Sequence, residues 1–167
     1  AGNWIMRHEP EIWARTAKYV MLPTYLNYKL TGNLIDSASN QIGHIPFDYK
    51  NRRWMKPGSL TRCFCDVPNE KLCDLVPSGT VIGTVTEEVC ALTGIPAGLP
   101  LISTGSDKGC ETLGLAVVDS DKASISLGTT ATIQFSTTQY VEPQQFLPAY
   151  PGVLNDHYNP EIEIYRG

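Results

Sequence analysis

Residues 99–117 read LPLISTGSDKGCETLGLAV, and residues 123–136 follow as ASISLGTTATIQFS. The short apolar run at the start predicts a buried strand over 99–104, and the polar turn after it leads into a helix over 108–117. A strand that ends in such a turn before a helix is a typical location for active-site groups in α/β proteins. On the helix we expect four residues to form the buried side: Cys110, Leu113, Leu115 and Ala116.

The second stretch predicts a β-hairpin. Small or polar residues alternate with apolar ones over 123–127 and again over 131–136, and Gly128, Thr129 and Thr130 interrupt the alternation. A glycine turn with hydroxyl side chains can offer its backbone N–H groups to a phosphate. The alternative is an ordinary hairpin turn with no ligand, and the local sequence leaves both open.

Asp107 is the candidate catalytic residue of the turn. A carboxylate held between a strand and a helix is fixed in place yet open to a cleft, as a general base must be. The alternative is that Asp107 merely caps the N-terminus of the helix that begins at Lys108. From the local sequence alone, capping is the commoner role of an aspartate at this position.

Other signals outline the rest of the chain. We predict helix over 4–30, with Pro10 in a first turn, a break at Pro23, and a second helix over 25–30 that ends at Gly32. An extended segment with a turn is expected over 76–85. The next helix covers 86–94, with Thr86 as its N-cap and Gly94 at its end. A shift in composition at 118–122 predicts a domain boundary.

Composition narrows the class of protein. The chain has 167 residues, 42% of them hydrophobic, which is enough apolar material for a core. Thirteen Lys and Arg against seventeen Asp and Glu give a net charge of −4, which argues against a nucleic-acid partner. No apolar run approaches the ~20 residues of a membrane span. We predict a cytoplasmic location.

The cysteines are expected to be free thiols. There are five, an odd number, and the sequence shows no secretory signal. Cys63, Cys65 and Cys73 lie close in sequence, but their spacing does not suit a structural zinc site. No metal-ligating residues are predicted in the chain.

The motifs above, in this order, resemble the FGGY family of carbohydrate kinases, whose members carry a glycine-rich strand end with Asp, a helix, and a Ser-Leu-Gly-Thr-Ser-type hairpin. Asp36 begins a looser match to the family's D-x-S-x-A-S. Five further pieces are similar to family motifs, namely WIMRHEPE at 4–11, YLNYKLTG at 25–32, FD at 47–48 followed by Trp54, VPSGTVIGTV at 76–85 and GIPAG at 94–98. The resemblance covers residues 4–140.

The resemblance implies an α/β, ribonuclease H-like fold of the actin/hexokinase ATPase type, present here in part. Residues 1–118 would be the C-terminal half of the first kinase domain, and residues 119–167 the beginning of the second. The implied reaction is phosphorylation of a sugar or polyol hydroxyl by ATP with Mg²⁺, and a xylulose-type pentulose is the default substrate. The resemblance also implies a small-molecule partner and possible homo-oligomers. It implies no binding to a membrane or to nucleic acid.

The resemblance also implies roles for individual residues, from their positions in the family motifs. Asp107 matches the catalytic base and a substrate contact, and Gly128, Thr129 and Thr130 match the segment that contacts ATP phosphates. Lys108 stands where many members have a substrate-binding Gln or Asn, which leaves the sugar undecided. With this context we favour the catalytic role of Asp107, which is compatible with capping.

Two alternatives stay open. A protein with the kinase fold could bind a sugar or nucleotide without catalysis, and the chain alone could be a structural or interaction domain that dimerises through open sheet edges. The family's D-x-G-T phosphate loop is absent from these 167 residues. We therefore expect the chain to be a fragment of a longer protein and to be inactive by itself.

Overall fold

The computed structural model describes residues 2–43, 46–128, 130–145 and 147–165, with the backbone alone at 165. In these ranges short helices alternate with short strands, as expected for an α/β chain. The helices are α1 (Gly2–His8), α2 (Pro10–Arg15), α3 (Leu22–Thr31), α4 (Glu87–Thr93) and α5 (Asp107–Gly114). Short 3₁₀ helices cover Ala38–Asn40, Leu60–Phe64 and Asn69–Lys71.

The strands form small sheets. They are β1 (Ile35–Ser37), β2 (Phe47–Asp48), β3 (Arg53–Trp54), β4 (Asp74–Val76), β5 (Val81–Thr84), β6 (Pro100–Ile102), β7 (Ala123–Leu127), β8 (Thr130–Phe135), β9 (Tyr150–Pro151), β10 (Tyr158–Asn159) and β11 (Glu161–Tyr165). Strands β1 and β4 pair in parallel, and every other pairing is antiparallel. The largest sheet has the order β11-β8-β7.

Local capping signals set several helix ends where the sequence predicts them. Gly32 and Gly94 end α3 and α4 in the left-handed conformation, each with a φ of 79°. The Thr86 hydroxyl accepts the Val89 N–H at 3.3 Å and so caps α4. Pro10 is the first residue of α2. These predictions are confirmed.

The predicted helix over 4–23 is wrong, because residues 16–21 are not helical. The predicted break at Pro23 is also wrong, since α3 begins at Leu22 and Pro23 lies in its first turn. The Tyr19 N–H donates to the Lys71 carbonyl at 2.6 Å, and the Lys18 ammonium donates to the Leu72 carbonyl at 2.9 Å. The Lys71 ammonium lies 5.2 Å from the Trp13 ring centroid. These contacts with a distant part of the chain replace the helical hydrogen bonds that local propensity favours.

The strand expected over 99–104 is shorter and more exposed than predicted. Strand β6 pairs with β5, with an irregular register between Val81 and Gly83. Leu99 and Ile102 remain 49% and 44% exposed. The apolar run therefore forms a strand as expected, but its side chains do not lie in the core of the described structure.

An aromatic cluster surrounds one buried ring of the core. The Phe47 ring is fully buried and meets the rings of Tyr49 and Trp54 edge to face, at centroid distances of 5.2 and 5.6 Å. The Trp54 indole donates to the Cys73 carbonyl at 2.7 Å, so the ring packs and its N–H is satisfied. Burial of such rings contributes most per residue to a small core.

The three-stranded sheet has two unlike faces. Ser124, Ser126, Thr132 and Gln134 point to one side, which packs against α5 and is buried or half-buried. On the other side, Ile125, Ile133 and Ile162 lie opposite one another in register across the strands and are 64%, 42% and 48% exposed. The predicted hairpin is confirmed, and its polar face is the one turned inward.

None of the helices in the described ranges combines the length and the apolar character that a bilayer span requires. All five cysteines are free, with Cys63 and Cys110 exposed and Cys73 buried.

The buried thiol gives a first test of the fold. Burial, assisted by the negative charge of Asp36, raises the pKa of Cys73 to about 11. Because the thiolate is the reactive form, we expect iodoacetamide at pH 8 to label Cys73 far more slowly than Cys63. Mass spectrometry of the labelled peptides measures both rates in one sample, with a urea-unfolded sample as the control. Equal rates in the folded chain would contradict this burial.

Candidate active site

The turn before α5 presents Asp107 without using it as the helix cap. Ser106 is the N-cap, and its hydroxyl accepts the Gly109 N–H at 3.1 Å. Asp107 is the first helical residue, and its side chain is exposed. The capping alternative for Asp107 is therefore wrong, because a neighbouring serine already fills that role.

The Asp107 carboxylate has an open approach. Its Oδ1 accepts the Lys108 N–H at 2.8 Å, which fixes the side chain over the first turn of the helix. An acidic group at this end of a helix also faces the positive end of the helix dipole. The geometry thus combines a fixed carboxylate with solvent access, the two properties that a general base needs.

Lys108 connects the helix to the hairpin. Its Nζ lies 3.0 Å from Glu111 Oε2 and 2.9 Å from Ser126 Oγ on β7. The hydrogen bond to Glu111 is the main cause that raises the pKa of Lys108. Ser126 precedes Gly128 by two residues, so the Lys108 ammonium is held close to the hairpin turn. Its assignment to substrate binding stays a prediction.

The hairpin turn is open but internally bonded. Gly128 is exposed, and a methyl group added at its Cα would meet only the Thr130 carbonyl oxygen, at 3.8 Å. The Gly128 N–H donates to that same carbonyl at 3.0 Å. Thr130 is half-buried as the first residue of β8, and Thr129 lies outside the described residues. The phosphate-binding role of all three residues stays a prediction.

A polar seam joins α5 to the hairpin. The Thr112 hydroxyl donates to Gln134 Oε1 and lies 3.1 Å from the Ser124 hydroxyl. Thr112 and Gln134 are 2% and 3% exposed, so these hydrogen bonds lie inside the fold. A cavity of about 350 Å³ opens along the seam, lined by Lys108 and Ser126 among others. The seam places the helix that carries Asp107 beside the hairpin.

The predicted buried face of α5 is wrong. Gly109 and Thr112 are its buried residues, whereas Cys110, Leu113, Leu115 and Ala116 are exposed, Leu113 by 37% and Leu115 by 63%. The helix docks through hydrogen bonds, so its polar residues face inward. Hydrophobic periodicity predicts the opposite orientation.

Glu161 is a member of the site that the sequence analysis missed. It lies on β11 opposite Gln134, whose amide donates to Glu161 Oε2 at 2.9 Å. Burial raises the pKa of Glu161, the charges of Glu163 and Asp107 raise it further, and Lys108 opposes them. The alternation of Glu161, Ile162, Glu163 and Ile164 was a usable signal for a strand, but nothing local indicates its partner.

The pH dependence of stability tests this placement. Because the pKa of Glu161 is raised in the fold, ionisation of its carboxyl opposes folding. That cost is absent at pH values below the unfolded pKa of about 4.3 and is complete above the raised folded pKa. We expect Glu161→Gln to be more stable relative to wild type at pH 7 than at pH 4. Urea unfolding at both pH values measures the difference.

Glu70→Gln is the matched control, because Glu70 is exposed and lies away from the seam. The free energy of unfolding of this variant is measured at the same two pH values. If the Glu161→Gln effect were the same at pH 4 and pH 7, the half-buried placement of Glu161 beside Gln134 would be refuted.

The comparison with protein families identifies the chain. The model of the FGGY family of carbohydrate kinases, N-terminal domain, matches residues 3–114. The chain therefore belongs to the FGGY family of carbohydrate kinases.

Curated relatives agree with this assignment. The chain is similar to an uncharacterized sugar kinase, YgcE, of Escherichia coli, with 40% identity over 105 residues that make up 63% of this chain and 21% of the relative. It is also similar to the xylulose kinase of Escherichia coli, with 29% identity over 75% of this chain and 25% of the relative. The chain thus spans between a fifth and a quarter of the length of these two relatives.

Solved structures confirm the fold. A xylulose kinase from Rhodospirillum rubrum superposes with a TM-score of 0.81 at 22% identity, over 96% of this chain and 32% of that one. A ligand-bound xylulose kinase from Lactobacillus acidophilus gives 0.83 at 22% identity, over 98% of this chain and 33% of that one. The predicted α/β fold of the actin/hexokinase ATPase type is confirmed for the part that this chain represents.

Proposed function

We propose that the protein to which this chain belongs transfers the γ-phosphoryl group of ATP to a hydroxyl of a sugar or polyol, with Asp107 as the catalytic base. The observation that carries the proposal is the position of Asp107, which is fixed at the first turn of α5 and exposed, while Ser106 caps the helix. The family membership and the sugar kinases among the relatives support the reaction type.

In this reaction the carboxylate of Asp107 accepts the proton of the attacking hydroxyl. The hydroxyl oxygen forms a bond to the γ-phosphorus while the bond from that phosphorus to the leaving diphosphate oxygen breaks, which releases ADP. Placement of the hydroxyl in line with the bond that breaks is the main task of the protein in phosphoryl transfer. A base on the first turn of a helix is suited to that placement because its backbone is rigid.

The described residues of the hairpin turn, Gly128 and Thr130, leave space for a phosphate group. Gly128 leaves the approach to the turn free, and Thr130 would add a hydroxyl at its edge. The bond from the Gly128 N–H to the Thr130 carbonyl would have to open for that N–H to contact a phosphate. When bound, ATP would supply the phosphoryl group and Mg²⁺ would screen the charge of its phosphates. We place Gly128, Thr129 and Thr130 at the phosphates.

We propose a pentulose of the xylulose type as the substrate, which is supported by the xylulose kinases among the relatives. Lys108 would contact the sugar after exchange of its bond to Glu111 or Ser126 for one to a sugar hydroxyl. A panel of pentuloses, hexuloses and polyols, tested with the full-length protein encoded by the gene, would decide the substrate.

We also propose that residues 119–167 begin a second domain. The family match ends at residue 114, and the exposed isoleucine row across β7, β8 and β11 is a face that further elements of a domain could cover. An exposed row of this kind is typical of an interaction surface. The partners that we propose are a small-molecule substrate and a second copy of the protein.

The role of Asp107 is testable in the full-length protein. Asp107→Asn removes the proton acceptor and keeps the shape, so we expect kcat for sugar phosphorylation to fall by about 10²–10⁴-fold. Thermal unfolding should change little, because Ser106 and not Asp107 caps α5. Sugar-dependent ADP release measures the rate.

Asp121→Asn is the control for this experiment, since Asp121 is exposed in the turn after α5 and should leave kcat unchanged. Turnover of Asp107→Asn near that of wild type would remove the catalytic role. Sugar binding by the wild-type protein without any phosphorylated product would instead favour the alternative of a binding protein without catalysis.

The 167-residue chain by itself should not catalyse the reaction, because it contains no D-x-G-T phosphate loop. We expect no xylulose-dependent ADP release from the purified chain in a coupled assay that detects the full-length protein. Sugar-dependent turnover by the chain alone would refute this prediction, and circular dichroism would establish that the tested chain is folded.

A further inference from the structure

Three serine hydroxyls converge on one carbonyl oxygen just before the active-site turn. The Thr104 carbonyl oxygen lies within hydrogen-bond distance of three hydroxyls: Ser37 Oγ at 2.5 Å, Ser78 Oγ at 3.0 Å and Ser39 Oγ at 3.1 Å. Ser37 and Ser39 are 0% and 3% exposed, and Ser78 is half-buried. We call these three residues the serine cluster.

The hydroxyls of the cluster also contact one another. Ser39 Oγ lies 3.1 Å from Ser37 Oγ and 2.5 Å from Ser78 Oγ. A carbonyl oxygen has two lone pairs, so three hydroxyl protons cannot all be directed at it with good geometry. At least one hydroxyl donates to a neighbouring serine instead, and the cluster acts as one connected network in which Ser39 is the central member.

The backbone of Ser39 makes a second contact with the turn. The Ser106 N–H donates to the Ser39 carbonyl at 3.2 Å, and Ser106 is the residue that caps α5. Both neighbours of Gly105 therefore contact Ser39: Thr104 contacts the Ser39 hydroxyl, and Ser106 donates to the Ser39 carbonyl. Asp107 follows directly after this doubly held turn.

Packing leaves the turn no room to shift. A methyl group added at Gly105 would come within 2.6 Å of Val153 Cγ2 and 3.0 Å of Ser39 Oγ, so the backbone here is pressed between the cluster and the segment that carries Val153. A change at Ser39 therefore acts directly on the backbone that carries Asp107.

The cluster itself rests on a buried carboxylate. Asp36 is 2% exposed and accepts the Thr24 hydroxyl at 2.7 Å and the Ser37 N–H at 2.8 Å. The side-chain amides of Asn40 and Gln41 donate to it at 3.0 and 3.2 Å. Buried charge is tolerated when hydrogen bonds satisfy it, and these four donors restrict the Asp36 side chain.

We propose that the serine cluster, with Ser39 at its centre, is a positioning device that sets the location of the Asp107 carboxylate. The inference rests on the proposed function, because it assigns a purpose to the placement of the base. Loss of the Ser39 hydroxyl would leave the Thr104 carbonyl with fewer donors and a gap beside Gly105. The turn could then relax by a fraction of an ångström, which lowers the rate of the chemical step more than it weakens substrate binding.

The test uses Ser39→Ala and Ser78→Ala in the full-length protein. We expect kcat to fall by about tenfold or more, with KM within about twofold of wild type, because a small misplacement of a base is costly. Ser78→Thr restores a hydroxyl at the half-buried edge of the cluster and should recover most of the kcat lost in Ser78→Ala. A merely structural role would give no such recovery at matched stability.

Ser103→Ala is the matched control. Ser103 is also buried, next to Thr104, but its hydroxyl donates to the Pro77 carbonyl at 3.0 Å and accepts the Thr80 N–H at 3.2 Å. Its replacement should reduce the thermal midpoint about as much as Ser39→Ala does, with kcat within about twofold of wild type. Hydrogen exchange at residues 105–110 should be faster in Ser39→Ala and unchanged in Ser103→Ala.

The outcomes separate the two levels of the proposal. If wild type shows no sugar-dependent phosphoryl transfer, the proposed function fails and the positioning role fails with it. If wild type is active but Ser39→Ala keeps its kcat, or Ser103→Ala loses as much, the positioning role alone is overturned. Unchanged hydrogen exchange at residues 105–110 in Ser39→Ala would also overturn it.

Discussion

The buried carboxylate of Asp36 is the constraint on which the candidate active site depends. Hydrogen bonds from the Thr24 hydroxyl, the Ser37 N–H, and the Asn40 and Gln41 amides hold it in the interior. A buried charge that lost these donors would be strongly unfavourable, so the segment over 36–41 has little freedom. That segment carries two of the three serines that contact the Thr104 carbonyl, and its Ser39 carbonyl accepts the N–H of Ser106, the N-cap of α5.

Polar contacts also dock the helix that carries Asp107. Thr112 meets Ser124 and Gln134 inside the fold, and Lys108 reaches Ser126 at the open end of the same seam. Hydrogen bonds depend on direction more strictly than apolar contacts do, so they hold α5 and the hairpin at a defined separation. Such an arrangement agrees with the proposal that α5 and the hairpin place a hydroxyl and a phosphate relative to one another.

Much of the secondary structure was predictable because its signals are local. Thr86 and Gly94 bound α4, Gly32 ends α3, and the alternation on either side of Gly128 marks the hairpin. The predictions from sequence were wrong where contacts between distant parts of the chain determine the local structure. Residues 16–21 are not helical, and Lys18 and Tyr19 bond to Leu72 and Lys71 instead. In α5, Thr112 faces inward because its hydroxyl bonds to Gln134.

The sequence by itself determined the family, through motifs in a fixed order, and it singled out Asp107 and the hairpin turn as candidate site residues. Only the tertiary structure decided that Ser106 is the helix cap, that Glu161 joins the site, and that the serine cluster meets the Thr104 carbonyl. The physical reason is separation along the chain. Ser37 and Thr104 are 67 residues apart, and Gln134 and Glu161 are 27 apart, so no local pattern records that each pair shares a hydrogen bond.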